Sequence, residues 1–193
     1  MGARTWRRQH AGALLVLLTV TCRVEAQDGL LDPQDATGPS VTRSLHAFER
    51  VRSSGEPLTA VLRDAARRSP TFRTIVDRIE QSDGIVYIEP GSCFTGARSC
   101  LIRISEAGSR RLLRVHVEME RPEWDLIGAI AHELWHAIEV LGQRGIRSTS
   151  AMHLFYERQG LRTTAGFETK EAIRAGNQVR REVRAPVPAN EGQ

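Results

Sequence analysis

Apolar residues recur along this chain in two different periods, and the changes of period divide it into segments. Leu58, Val61 and Leu62 share one face of a helix predicted over 58–68. Pro70 restarts a second helix, whose stripe is Phe72, Ile75, Val76 and Ile79. A further helix is expected over 44–54. Ser82-Asp83-Gly84 reads as a stop and a turn. The period then drops to two. A β-branched and aromatic run at 85–88 predicts one strand and 101–105 predicts another. At 112–119 Leu113, Val115 and Val117 alternate with Arg114, His116 and Glu118, which predicts a third strand. Three short strands in succession point to a small antiparallel meander.

The helical period returns at once. Ile127, Ile130, Leu134, Ile138 and Leu141 repeat at three and four. Pro122 suits a first helical position, Glu123 and Asp125 suit the first turn, and Gly142 suits the stop. Two further helices are expected, over 151–159 and 168–184, with 164–166 between them. The order is helices, a small antiparallel sheet, a long helix, then more helices. That order is an α+β fold in one domain spanning 44–184. Residues 27–43 have no apolar period and read as a flexible lead-in, and 185–193 as a disordered tail.

The long helix carries the chemistry. Residues 132–136 read His-Glu-Leu-Trp-His. Histidines four apart on a helix lie on one face, one turn apart, so both imidazoles can reach one metal ion. The glutamate between them, Glu133, then sits where it can take a proton from a metal-activated water. At about 100° per residue, His132 and His136 fall opposite the apolar stripe. Zn²⁺ is the expected ion, Glu133 the expected general base, and a peptide or protein the expected substrate. Glu139 shares the histidine face but lies roughly 10 Å along the axis from His132. It fits an outer-shell partner for an imidazole N–H better than a direct ligand. Asp125 is a similar candidate, one heptad earlier. His116, His153 and Tyr156 are candidate donors to a developing oxyanion.

The N-terminus changes how composition is read. Arg4, Arg7 and Arg8 precede an apolar run over 11–20, and Val24-Glu25-Ala26 offers small residues for cleavage. This pattern predicts a secretory signal peptide at 1–26, too short in its apolar part for a stable membrane anchor. Removing Arg4, Arg7, Arg8, Arg23 and Glu25 leaves 23 basic against 22 acidic residues, so the net charge falls from +4 to +1. The apparent basicity gives no argument for nucleic acid. The expected location is the periplasm or the medium. Cys93 and Cys100 then remain as a pair, which in an exported protein reads as a disulfide, with zinc ligation by the thiolates as the alternative.

An antiparallel sheet leading into an HExxH helix, here His132, Glu133 and His136, resembles the zincin metallopeptidases. The stretch 44–184 also resembles a group of exported bacterial proteins. They share, in order, "SPTFRTIV…SDGIVYIEP", the cysteine loop, "AHELWHAIEV" and a late "FET". The likeness implies a zincin-like fold and brings no substrate with it. The metzincin pattern would place glycine at 139 and histidine at 142, where this chain has Glu139 and Gly142. The gluzincin pattern takes its third ligand from a later glutamate. Glu157 stands 21 residues after His136, and Glu168, in the late "FET", stands 32 after. The likeness favours Glu168. A second reading is a non-catalytic envelope binding module with structural zinc or none.

Overall fold

The sheet is mixed, and its order differs from a meander. The computed structural model describes residues 48–94, 96–163 and 166–185. The predicted signal peptide, the lead-in and all of the tail but Ala185 lie outside them. Eleven elements follow one another: β1 (Val51–Ser53), α1 (Glu56–Arg68), α2 (Pro70–Glu80), β2 (Gly84–Pro90), β3 (Ser99–Ala107), β4 (Arg110–Val117), α3 (Glu123–Gly142), α4 (Thr149–Gln159), β5 (Leu161–Thr163), β6 (Gly166–Glu168) and α5 (Lys170–Arg184). Four strands form a sheet in the order β1-β2-β4-β3, and β5 and β6 form a separate hairpin. The architecture is α+β.

Two expectations about the strands are overturned. Residues 44–54 do not form a helix where they are described: 51–53 is a strand, parallel to β2, with Val51 beside Val86. A three-residue strand is too short to show a period, so its pairing decides it. Glu80, at the end of α2, accepts from the backbone N–H of Arg50 at 2.8 Å and anchors this strand. The meander also fails. β4 inserts between its predecessors, parallel to β2 and antiparallel to β3. β4 has the cleanest alternation in the chain and takes an inner position, with Leu113, Val115 and Val117 wholly buried.

The helices end where local chemistry stops them. Ser69 caps α2 by accepting from Phe72 N at 2.9 Å, with Pro70 following at a position where no N–H is needed. Ser148 caps α4 and Thr169 caps α5 in the same way. Pro122 stands one place earlier than expected, as the residue before α3. Helix α3 is buried on nearly every side: its apolar stripe faces the sheet, and α5 packs along it. The histidine face is therefore not solvated, and His136 and Glu133 are 5% and 4% exposed.

Close approach of α3 and α5 depends on two glycines. A Cβ at Gly176 would lie 2.8 Å from the Gly128 carbonyl and 3.0 Å from His132 Cβ. The other end of α3 is held by Arg111, which is buried. It donates to the carbonyls of Val140, Leu141, Gln143 and Ile146 and pairs with Asp83 at 2.6 Å. The carbonyls of Val140 and Leu141 lie in the last turn of α3, where the helix runs short of donors, and those of Gln143 and Ile146 in the loop that follows, so one guanidinium ties the helix end to its loop.

Candidate metal centre

One turn of α3 places His132 and His136 side by side, with ring centroids 4.8 Å apart. Glu168 closes the group from the end of β6, directly before the N-cap of α5. It is not in the first turn of the last helix, as expected, because the hairpin β5–β6 carries it in. Glu168 Oε2 lies 2.8 Å from His132 Nε2 and 3.6 Å from His136 Nε2. One ligand atom from each of the three residues falls within 4.8 Å of the others, so the group could hold a metal ion. Glu168 Oε2 is buried and no donor meets hydrogen-bond geometry at it. An orphaned buried oxygen facing two imidazole nitrogens fits a cation, which would supply the missing partner.

Electrostatics within the group follow from burial and pairing. Burial raises the Glu168 carboxyl, but the imidazoles of His132 and His136 outweigh it and hold it down to about 2. Burial lowers His136, but its bond to Glu139 and the nearby carboxylate of Glu168 outweigh that and push it up to about 9. A cation held among these atoms would take the place of the proton that otherwise balances the carboxylates.

The second layer is built by Glu139. Its Oε2 lies 2.9 Å from His136 Nδ1, and its Oε1 accepts from Thr169 Oγ1 at 2.6 Å. This bond orients the His136 ring and turns Nε2 towards Glu168, so that with an ion bound Nδ1 would keep the proton and Nε2 would be the ligand atom. The Tyr156 hydroxyl lies 3.0 Å from the His136 carbonyl and 3.2 Å from Glu139 Oε2. Burial and the neighbouring carboxylate of Glu139 push its phenol upward. Tyr156 is thus a buried brace rather than a free donor. Asp125 does not reach His132, because Arg121 and Arg180 claim both of its oxygens. Glu157 is exposed and stays outside the group. His116 turns to the Ser92 carbonyl on another face of the sheet.

Glu133 sits beside this group in a cleft of about 460 Å³, whose apolar wall includes Leu101, Ile102, Met152 and Phe167. The Ser99 hydroxyl donates to Glu133 Oε1 at 2.8 Å. His153 lines the same cleft. Cys93 and Cys100 are joined in a disulfide that borders it, and Ser99 is the residue before Cys100. Sequence reasoning missed Ser99 and the role of Thr169 towards Glu139. Both contacts join residues 30 or more apart in the chain, where no pattern announces them.

Among the described residues, no helix is long and apolar enough to cross a membrane. Comparison with protein-family models, with curated proteins and with solved structures finds no match.

Proposed function

We propose that this chain is an exported, zinc-dependent hydrolase of the zincin type that cleaves peptide bonds. The observation that carries the reading is Glu133, buried in the cleft wall beside three convergent ligand atoms. His132, His136 and Glu168 would hold the ion. Zinc bound by three protein ligands polarises a carbonyl and acidifies a water. Glu133 accepts the proton of the attacking water and returns it to the leaving amine. Ser99 holds the Glu133 carboxylate by one oxygen, and the other remains for that transfer. Glu139 keeps the His136 ring in register.

A non-catalytic module with structural zinc would need a fourth protein ligand. Glu139 is engaged through both oxygens, and among the described residues no fourth side chain joins the group. The disulfide supports an oxidising compartment, and with it export.

The test is zinc per chain by elemental analysis, paired with a peptide-library cleavage assay on wild type and Glu133→Gln. One equivalent of zinc in both, with cleavage only by wild type, is the expected result. Cleavage by Glu133→Gln at the wild-type rate would remove the mechanism. A chain that takes up no zinc when it is supplied would remove the metal centre.

A further inference from the structure

The sheet has a second face, turned away from the helices, and a row of side chains on it has no part in the metal centre. Val51, Val86, Leu113 and Val115 point inward, so their strand neighbours point outward. The register sets Arg52 opposite Tyr87, Tyr87 opposite Arg114, and Arg114 opposite Arg103. Each of the four strands gives one residue. Arg103 reaches this row through a register shift between Leu101 and Arg103. Without that extra residue Ile102 would face Arg114, and Arg103 would turn to the helices. The bulge thus brings two arginines face to face across adjacent strands.

Opposed like charges destabilise a sheet, and little here offsets them. Arg52 donates to the Tyr87 hydroxyl at 3.1 Å, which occupies an oxygen lone pair and leaves the phenolic proton to give. Arg114 Nε is 3.6 Å from Glu89 Oε1, a loose and half-exposed pair. Arg103 has no hydrogen-bond or ion-pair partner among the described residues, and neither has the Ser105 hydroxyl. Tyr87, Arg103, Ser105, Leu112 and Arg114 border a depression of about 260 Å³.

We propose that this depression binds a phosphate group, held by the Arg103 and Arg114 guanidiniums with the Ser105 and Tyr87 hydroxyls as further donors. Guanidinium forks match oxyanions in paired hydrogen bonds. A tetrahedral dianion can meet two forks and two hydroxyls arriving from different sides, which a planar carboxylate does less well. The same anion cancels the repulsion that the bulge creates. This site is independent of the metal centre.

The test is thermal unfolding and calorimetric titration with inorganic phosphate, against sodium chloride at the same ionic strength. Wild type is compared with Arg103→Ala and with Arg103→Ala/Arg114→Ala, both changes being at exposed positions. Wild type is expected to gain melting temperature saturably with phosphate and to bind at one site outside the metal centre. Arg103→Ala is expected to melt no lower than wild type without phosphate, since a like charge is gone, and to bind about tenfold more weakly or worse. The double variant keeps His132, His136 and Glu168, so phosphate held by a metal ion would persist in it unchanged. Glycerol phosphate binding more tightly than phosphate would identify a phosphomonoester as the ligand, and equal binding the free ion. Equal responses to phosphate and chloride, or undiminished binding by the double variant, would overturn the proposal.

Discussion

The Ser99 hydroxyl donates to Glu133 Oε1 across 2.8 Å, and Ser99 is held beside the disulfide through Cys100. A hydrogen bond to a carboxylate is worth about 1.5–3 kcal/mol. Ser99→Ala is therefore expected to keep one zinc per chain and to lower kcat by roughly tenfold or more. Steady-state kinetics alongside metal analysis checks this. Unchanged kcat would mean that Glu133 needs no anchor.

The disulfide adds a second route to the same carboxylate. Replacing both Cys93 and Cys100 by serine should cost about 2.5 kcal/mol of stability in the chain-entropy view of a short closed loop. It should also lower turnover in the direction of Ser99→Ala. Urea denaturation measures the first effect and kinetics in native buffer the second. A variant that loses stability and keeps full turnover would uncouple the two.

Glu139 binds no metal in this reading, yet it fixes the His136 tautomer and holds Thr169, the residue after Glu168. Glu139→Gln should weaken zinc by about 10–100-fold, the usual cost of losing an outer-shell carboxylate. Chelator competition reads this directly. The same zinc affinity in variant and wild type would reduce Glu139 to a packing residue.

Arg111→Met should be among the most destabilising single changes in the chain. It removes a donor from the carbonyls of Val140, Leu141, Gln143 and Ile146, of which Val140 and Gln143 keep a backbone partner, and it leaves Asp83 without its guanidinium, at a cost of roughly 3 kcal/mol or more. A urea midpoint within error of wild type would contradict this.

Acid should loosen the fold through Glu182. Burial raises its carboxyl, but Ser69, Thr71 and Gln178 outweigh that and hold it below its ordinary value of 4.5. A depressed folded-state value means that the unfolded chain binds the proton more readily. The stabilisation is therefore full above about pH 4.5 and is lost as pH falls through the lower folded value. Asp83, lowered by its bond to Arg111, acts in the same sense from an ordinary value of 3.8. Glu182→Gln should flatten the fall in unfolding free energy below that pH. An equally steep fall in the variant would assign the acid sensitivity elsewhere.

Much of this was legible because it was local. The motif helix, the restart of a helix at Pro70, the alternation of β4 and the cysteine pair all depend on residues a few positions apart. The group of His132, His136 and Glu168 needed one long-range step, and the sequence supplied candidates without their geometry. What could not be read was pairing across the sheet. β1 is too short to carry a period, and the exchange of neighbours between β2, β3 and β4 leaves the alternation of each strand unchanged. Ser99 and Arg111 show the same limit: one serine and one arginine among many, distinguished only by what the fold sets against them.

The contact of Gly176 with Gly128 and His132 makes the metal centre a matter of missing atoms as much as of ligands. The backbone of α5, which begins two residues after Glu168, can lie against α3 only while both positions carry no side chain. A methyl group at 176 would push on the helix that carries both histidines and on the helix that follows the third ligand. Searches for variants with altered metal affinity should therefore find this position closed, since any residue larger than glycine shifts the ligand spacing and the helix packing together. The spacing of His132, His136 and Glu168 and the tolerance of α3 and α5 to mutation are inherited here as a single trait.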